Sequence, residues 1–122
     1  MVFLKKLSIL FIFILVITGC SSAGYKTVSV EEAAGMIEDG QVKVLDVRTP
    51  EEYQSGHIPG SELIPLQVID GLSGQLDKKQ QYLVVCRSGN RSQQASEILA
   101  AKGFNVLNMA GGMNEWTGDI EQ

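Results

Sequence analysis

An α/β fold of about five mostly parallel strands, covered by helices on both faces, follows from three features of the chain. Apolar runs of strand length recur five times, helix-length stretches separate them, and Tyr82-Leu83-Val84-Val85 is apolar on both faces. Strands joined by helix-length crossovers pair in parallel, and a doubly apolar strand belongs in the middle of a sheet with both faces covered. In such sheets ligands sit at the carboxyl ends of the strands. Cys86 falls at that end of the fourth strand and Asp46 near that end of the second.

Taken in order, Tyr25 to Val28 is a short strand, and Ser29 caps the helix after it, with Glu32 in the capping-box position. Val30, Ala33, Ala34 and Ile37 share one face of that helix, which Asp39-Gly40 ends. Val42 to Val47 is the second strand. Thr49-Pro50-Glu51-Glu52 then opens a helix with proline at its first position. Ser61 to Ile64 is a third, short strand between Pro59 and Pro65. Gln67 to Gln80 reads as a broken helix with loops, given Gly71 and Gly74. After the central strand, Ser92 to Lys102 is helical and buries Ala95, Ile98 and Leu99, with Gly103 as its stop. Asn105 to Asn108 is the fifth strand, followed by Gly111-Gly112 and a short helix through Trp116.

The chain has 122 residues and a net charge of −4, but its hydrophobicity is uneven, since 14 of the first 19 residues are apolar. Lys5 and Lys6 lie in that segment, so the other 103 residues carry −6. That length suits one small domain with a real core, placed at residues 25–122. The acidic balance argues against a nucleic-acid partner, which needs a broad basic patch. Two cysteines, Cys20 and Cys86, rule out a disulfide scaffold and a cysteine-based zinc site. His57 is the only histidine, which leaves no His-rich metal site and little room for a Ser-His-Asp triad.

Residues 1–19 read as a targeting segment: a positive start, then the apolar run Leu7 to Ile17, broken only by Ser8. The run is short for a membrane span of about 20 residues and right for a signal-peptide core. It ends in Ile17-Thr18-Gly19-Cys20, which resembles a bacterial lipoprotein signal, where the cysteine is lipidated and becomes the new amino terminus. An uncleaved anchor and a buried core helix are the alternatives. The lipoprotein expectation places the domain in the cell envelope, outside the cytoplasm, held to a membrane through lipid on Cys20, with residues 20–24 as a flexible tether. Cys86 is then the free thiol.

Cys86-Arg87-Ser88-Gly89-Asn90-Arg91-Ser92 runs from the central strand into a helix. Gly89 and Asn90 tolerate positive φ, so successive N–H groups can turn inward, and a helix beginning near Ser92 adds its positive end. Arg87 and Arg91 supply guanidinium groups suited to oxyanions. Such a cradle, with a mouth open to an ionic donor, predicts a Cys86 thiol pKa well below its ordinary value. A strand-end cysteine that merely packs is the alternative, and two arginines beside a glycine turn speak against it.

This loop resembles the active-site loop of rhodanese-type sulfurtransferases, the small single-domain kind. Leu45-Asp46-Val47-Arg48-Thr49-Pro50-Glu51-Glu52-Tyr53, Gly56-His57-Ile58-Pro59-Gly60-Ser61 and Ile64-Pro65 resemble the family's amino-terminal signature. Gly111-Gly112 followed by Trp116 resembles its carboxyl-terminal one. The resemblance spans Tyr25 to Gln122 and implies a rhodanese-like three-layer fold. It also implies that Cys86 takes the outer sulfur of a donor such as thiosulfate as a persulfide, which cyanide, a thiol or a carrier protein then removes. That double displacement needs no metal and no organic cofactor. The expected partners are a small sulfur-containing anion and a thiol or protein acceptor, and the domain is expected to be a monomer. Arg87, Ser88, Gly89, Asn90, Arg91 and Ser92 would bind the donor and stabilise the persulfide anion.

A cysteine-dependent phosphatase or arsenate reductase is the nearest chemical competitor. There, five residues separate cysteine from arginine; here four separate Cys86 from Arg91, a tighter ring that suits a sulfane sulfur. A persulfide carrier that loads sulfur but turns thiosulfate over poorly is the other alternative. The remaining conspicuous residues read as structural. Asp46 and Arg48 form an ion pair that buttresses the loop, His57 bonds backbone in its turn, and Trp116 anchors the last helix. Glu51 and Glu52 are ordinary helix amino-terminal charges.

Overall fold

A computed structural model of the chain describes residues 24–122. The segment 1–19, Cys20 and most of the 20–24 tether lie outside the described residues. In chain order the elements are β1 (Lys26–Val28), α1 (Val30–Glu38), β2 (Lys43–Asp46), α2 (Pro50–Gln54), β3 (Glu62–Leu63), α3 (Leu66–Leu72), a 3-10 turn (Ser73–Gln75), β4 (Gln81–Val85), α4 (Asn90–Ala101), β5 (Asn105–Met109) and α5 (Gly112–Glu115). The strands form one sheet in the order β1-β5-β4-β2-β3, and every pairing is parallel. The expected five-stranded α/β architecture is therefore present, with β4 at its centre.

Alternation along β4 divides the core into two layers. Tyr82, Val84 and Cys86 face the side where Ile69 of α3 and Ala95 and Leu99 of α4 pack. Leu83 and Val85 face the side covered by Val30 and Ala33 of α1, with Met113 and Trp116 at its rim. Because both faces of β4 are buried from Tyr82 to Val85, that stretch had to be apolar, and the sequence shows that pattern.

Two helix starts follow their local signals. The Ser29 hydroxyl accepts the Glu32 N–H at 3.1 Å. Thr49 and Glu52 form a complete reciprocal capping box around Pro50. The third differs from expectation. Helix α4 begins at Asn90, not near Ser92, and its cap is Gly89 at φ +100° with no side-chain bond. Gly89 alone supplies the left-handed turn, since no residue other than glycine has positive φ among the described residues. Ser92 is thereby carried inside the helix, fully buried. Ile98, expected in the core, is only half-buried at its edge.

Candidate active site

Cys86 stands immediately after β4, on the face that α4 covers, with no solvent exposure. The Gly89 N–H donates to its Sγ at 3.0 Å, and the Ser92 Oγ lies 3.3 Å from the same sulfur. As a thiolate, Cys86 would accept a hydrogen bond from the Ser92 hydroxyl as well. Burial pushes the thiol pKa up most strongly of any single cause. The Ser92 hydroxyl and the backbone N–H groups of Ser92, Gly89 and Ser88 together outweigh it, and the net result is a pKa below the ordinary value. The direction agrees with the sequence argument, but the cause differs. Hydrogen bonds from Ser92, Gly89 and Ser88 lead the lowering, ahead of the Arg91 charge that Cys86 also senses. The open mouth expected above the sulfur is also absent, because the loop closes over it.

A second glycine turn locks the loop from outside. Gly112, at φ +59°, sits so close to the loop that an added Cβ would lie 2.5 Å from the Cys86 carbonyl oxygen and 2.6 Å from the Arg87 carbonyl. That approach lets the Met113 N–H donate to the Cys86 carbonyl at 2.8 Å and the Asn114 N–H to the Arg87 carbonyl at 2.9 Å. The start of α5 thus fixes the strand-to-loop exit.

The two arginines part company. Arg87 is exposed and lines a cleft of about 270 Å³ with Arg48, Glu52, Ser55, Met113 and Asn114. Arg91 turns instead to Glu52, its Nη1 and Nη2 donating to separate carboxylate oxygens at 2.6 and 2.8 Å. That pairing, ahead of the Thr49 bonds, holds the Glu52 carboxyl down at about 2. It also raises the Arg91 guanidinium, with smaller contributions from the charges of Cys86 and Asp46. The sulfur and Arg91 therefore sense each other, but Glu52 dominates. The side chains of Ser88 and Asn90 are peripheral: both residues are exposed, and the Asn90 Oδ1 accepts from Gln94 at 3.4 Å.

Asp46 and Arg48 form the expected ion pair, buried and two-pronged, with Nε at 3.0 and 3.1 Å and Nη2 at 2.8 Å from the carboxylate. Arg48 Nη2 also donates to the Gly56 carbonyl at 2.8 Å, tying the end of β2 to the following turn. Beside it, the Val47 N–H donates to the Val85 carbonyl next to Cys86. His57 is structural, as its setting suggested. Its Nδ1 lies 2.7 Å from the Tyr53 carbonyl and its ring stacks on Tyr53 at 3.6 Å. The Trp116 Nε1–H closes the last turn on the Asp119 carbonyl at 3.0 Å.

Three contributors escaped the sequence argument. Glu52 gave no sign of its partner, which lies 39 residues away. Gly112 was marked only as half of a Gly-Gly pair. The sequence puts Ser92 in the cradle but carries no sign that its hydroxyl meets the sulfur.

Known proteins resemble this chain in sequence and fold. A model of the rhodanese-like domain matches residues 29–119. The thiosulfate sulfurtransferase GlpE of Pseudoalteromonas translucida is 33% identical over 93 residues, which are 75% of this chain and 89% of that protein. A Bacillus subtilis protein provisionally named a sulfur carrier, YrkF, is 38% identical over 84 residues, and the match spans only 45% of its length. Among solved structures, a rhodanese-like domain protein of Staphylococcus aureus superimposes with a TM-score of 0.73 at 35% identity, over 79% of this chain and 96% of that one. A rhodanese-related protein of Thermoplasma volcanium gives 0.76 at 30% identity, over 80% and 98%. A strand-end cysteine under a glycine turn, on this sheet order and with these relatives, makes the chain a member of the rhodanese-like domain family.

Proposed function

We propose that the domain is a sulfurtransferase that carries sulfane sulfur on Cys86. The observation that supports this most directly is the sulfur's setting, a buried Sγ that accepts the Gly89 N–H at 3.0 Å beside the Ser92 hydroxyl at the amino end of α4. A thiolate held there is a ready nucleophile, and the same donors would stabilise a persulfide anion. In the first step Cys86 Sγ bonds to the outer sulfur of the donor. The donor's sulfur–sulfur bond breaks, and its electron pair leaves on sulfite if thiosulfate is used. In the second step an acceptor such as cyanide or a thiolate takes that outer sulfur, and Cys86 departs as thiolate. Arg87, exposed on the cleft beside the loop, would meet the donor's anionic end.

Incubation with thiosulfate followed by intact-mass measurement tests the assignment. One added sulfur is expected on the wild-type chain and none on Cys86→Ser, and loading of Cys86→Ser at the wild-type yield would overturn it. The name of the YrkF relative supports a second reading, a persulfide carrier. A carrier would load to one sulfur yet release little to cyanide, so turnover measured beside loading separates the two.

The amino-terminal pattern supports a site of action outside the cytoplasm, with Cys20 lipidated and residues 21–24 as the tether. Incorporation of a fatty-acid analogue is expected in the wild type and absent in Cys20→Ala. Label surviving in that variant would contradict the lipoprotein assignment.

A further inference from the structure

We propose that Glu52, by binding Arg91, sets the charge of the site and so selects sulfur donors of low charge, alkyl persulfides, over the thiosulfate dianion. The proposal rests on the Cys86 persulfide chemistry above and names the donor class for it.

The motif supplies two arginines, but the fold leaves one of them free. Arg91 spends the paired edge of its guanidinium on the two oxygens of Glu52. That fork is the geometry with which an arginine would otherwise grip a sulfonate. Glu52 is itself fixed, since its Oε1 also accepts from the Thr49 N–H and hydroxyl at 3.3 and 3.2 Å. With Cys86 as thiolate, the two negative charges of Cys86 and Glu52 balance the two positive charges of Arg87 and Arg91. Asp46 and Arg48 cancel within their own buried pair. The Glu115 side chain, which lies over Gly111, adds a further negative charge at the turn against which Gly89 packs. A dianion that must approach a thiolate through a neutral to slightly negative site meets repulsion with little compensating attraction. A persulfide brings at most one charge and so meets less of that repulsion. In that step the bond from Cys86 Sγ to the terminal sulfur forms and the donor's sulfur–sulfur bond breaks. The electron pair leaves on the alkyl thiolate, and the terminal sulfur keeps its proton or releases it to water. Nothing is oxidised or reduced overall.

The test compares kcat/KM for thiosulfate and for the persulfide of N-acetylcysteine methyl ester, in the wild type, Glu52→Gln and Glu52→Asp. Glutamine is accepted at the third position of a capping box, so α2 is retained. The wild type is expected to prefer the persulfide. Glu52→Gln should raise thiosulfate relative to persulfide by about fivefold at low ionic strength, a gain that shrinks as salt is added. Glu52→Asp, which keeps the charge, should keep the wild-type ratio. A donor ratio in Glu52→Gln that stays at the wild-type value, or moves against thiosulfate, overturns the proposal. Wild-type thiosulfate kinetics offer a check that needs no variant: they should be nearly insensitive to salt, and a steep loss in salt overturns the charge argument. If neither donor adds sulfur to Cys86 by intact mass, the persulfide chemistry itself has failed, which is a different result.

Discussion

Substituting Gly112 by alanine tests whether the loop around Cys86 is held from outside. The added methyl would lie 2.5 Å from the Cys86 carbonyl oxygen and 2.6 Å from the Arg87 carbonyl, all backbone atoms that no rotamer change can move aside. Two costs add. A non-glycine residue at φ +59° costs about 1–2 kcal/mol, and forcing a methyl into filled space costs about 1–3 kcal/mol more. The expected loss is therefore about 2–5 kcal/mol. Two other glycines separate the terms. Gly40 has φ +68° with nothing within 4 Å of an added Cβ, so Gly40→Ala should cost only the first 1–2 kcal/mol. Gly71, inside α3 and equally open, has no positive φ, so Gly71→Ala should be neutral or stabilise by up to about 1 kcal/mol. Urea unfolding of the three variants reads these differences. Alkylation of Cys86 in Gly112→Ala then reports whether the loop has moved off the 2.8 Å bond from Met113. Equal stability of Gly112→Ala and Gly40→Ala would refute the contact argument.

Asp46→Ala should cost about 3–5 kcal/mol in the same unfolding assay, because it leaves the Arg48 guanidinium buried without its anion. The Glu52 carboxyl, held at about 2, contributes stability that is complete above its ordinary pKa near 4.5 and lost as pH falls through 2. At most about 3 kcal/mol should disappear over that window, and the pH dependence should flatten in Glu52→Gln. Ser92→Ala should slow iodoacetamide alkylation of Cys86 near neutral pH with little change in stability, since it deletes a donor to the thiolate at a helical position where alanine is favoured. Unchanged alkylation would place the Ser92 hydroxyl elsewhere. Because the Cys86 pKa is lowered on folding, its contribution to stability is lost as pH falls through the folded value and is complete above the unfolded value of about 8.5. The stability difference between wild type and Cys86→Ser should therefore grow as pH rises toward 9, and a flat difference would contradict it.

What the sequence disclosed was local. The apolar run Tyr82 to Val85 announced a central strand, and Thr49-Pro50-Glu51-Glu52 announced a helix start, because each signal is complete within a few residues. Local signals also put the start of α4 two residues late, at Ser92. Ser92 is an ordinary capping residue, whereas the actual cap, Gly89, works by backbone conformation and leaves no polar signature. The partners of Arg91 and Gly112 were invisible because they are set by tertiary approach. Glu52 comes to Arg91 across 39 residues, and the Cys86 carbonyl comes to Gly112 across 26. Charge in the motif was legible, but its neutralisation was not. Closure of the loop over the sulfur was equally hidden, since Gly89 and Ser92 fold onto Sγ only once α4 has its register.

The strand order β1-β5-β4-β2-β3 also leaves little free backbone at the borders of the sheet. Both borders of the sheet are stubs, β1 of three residues and β3 of two, and Pro59 and Pro65 flank the latter. Borders this short present too few free N–H and C=O groups to template an incoming extended peptide. Strand addition is therefore disfavoured at both borders of the described sheet. What the sheet leaves accessible near Cys86 is loop backbone and side chains at the carboxyl ends of β4 and β5.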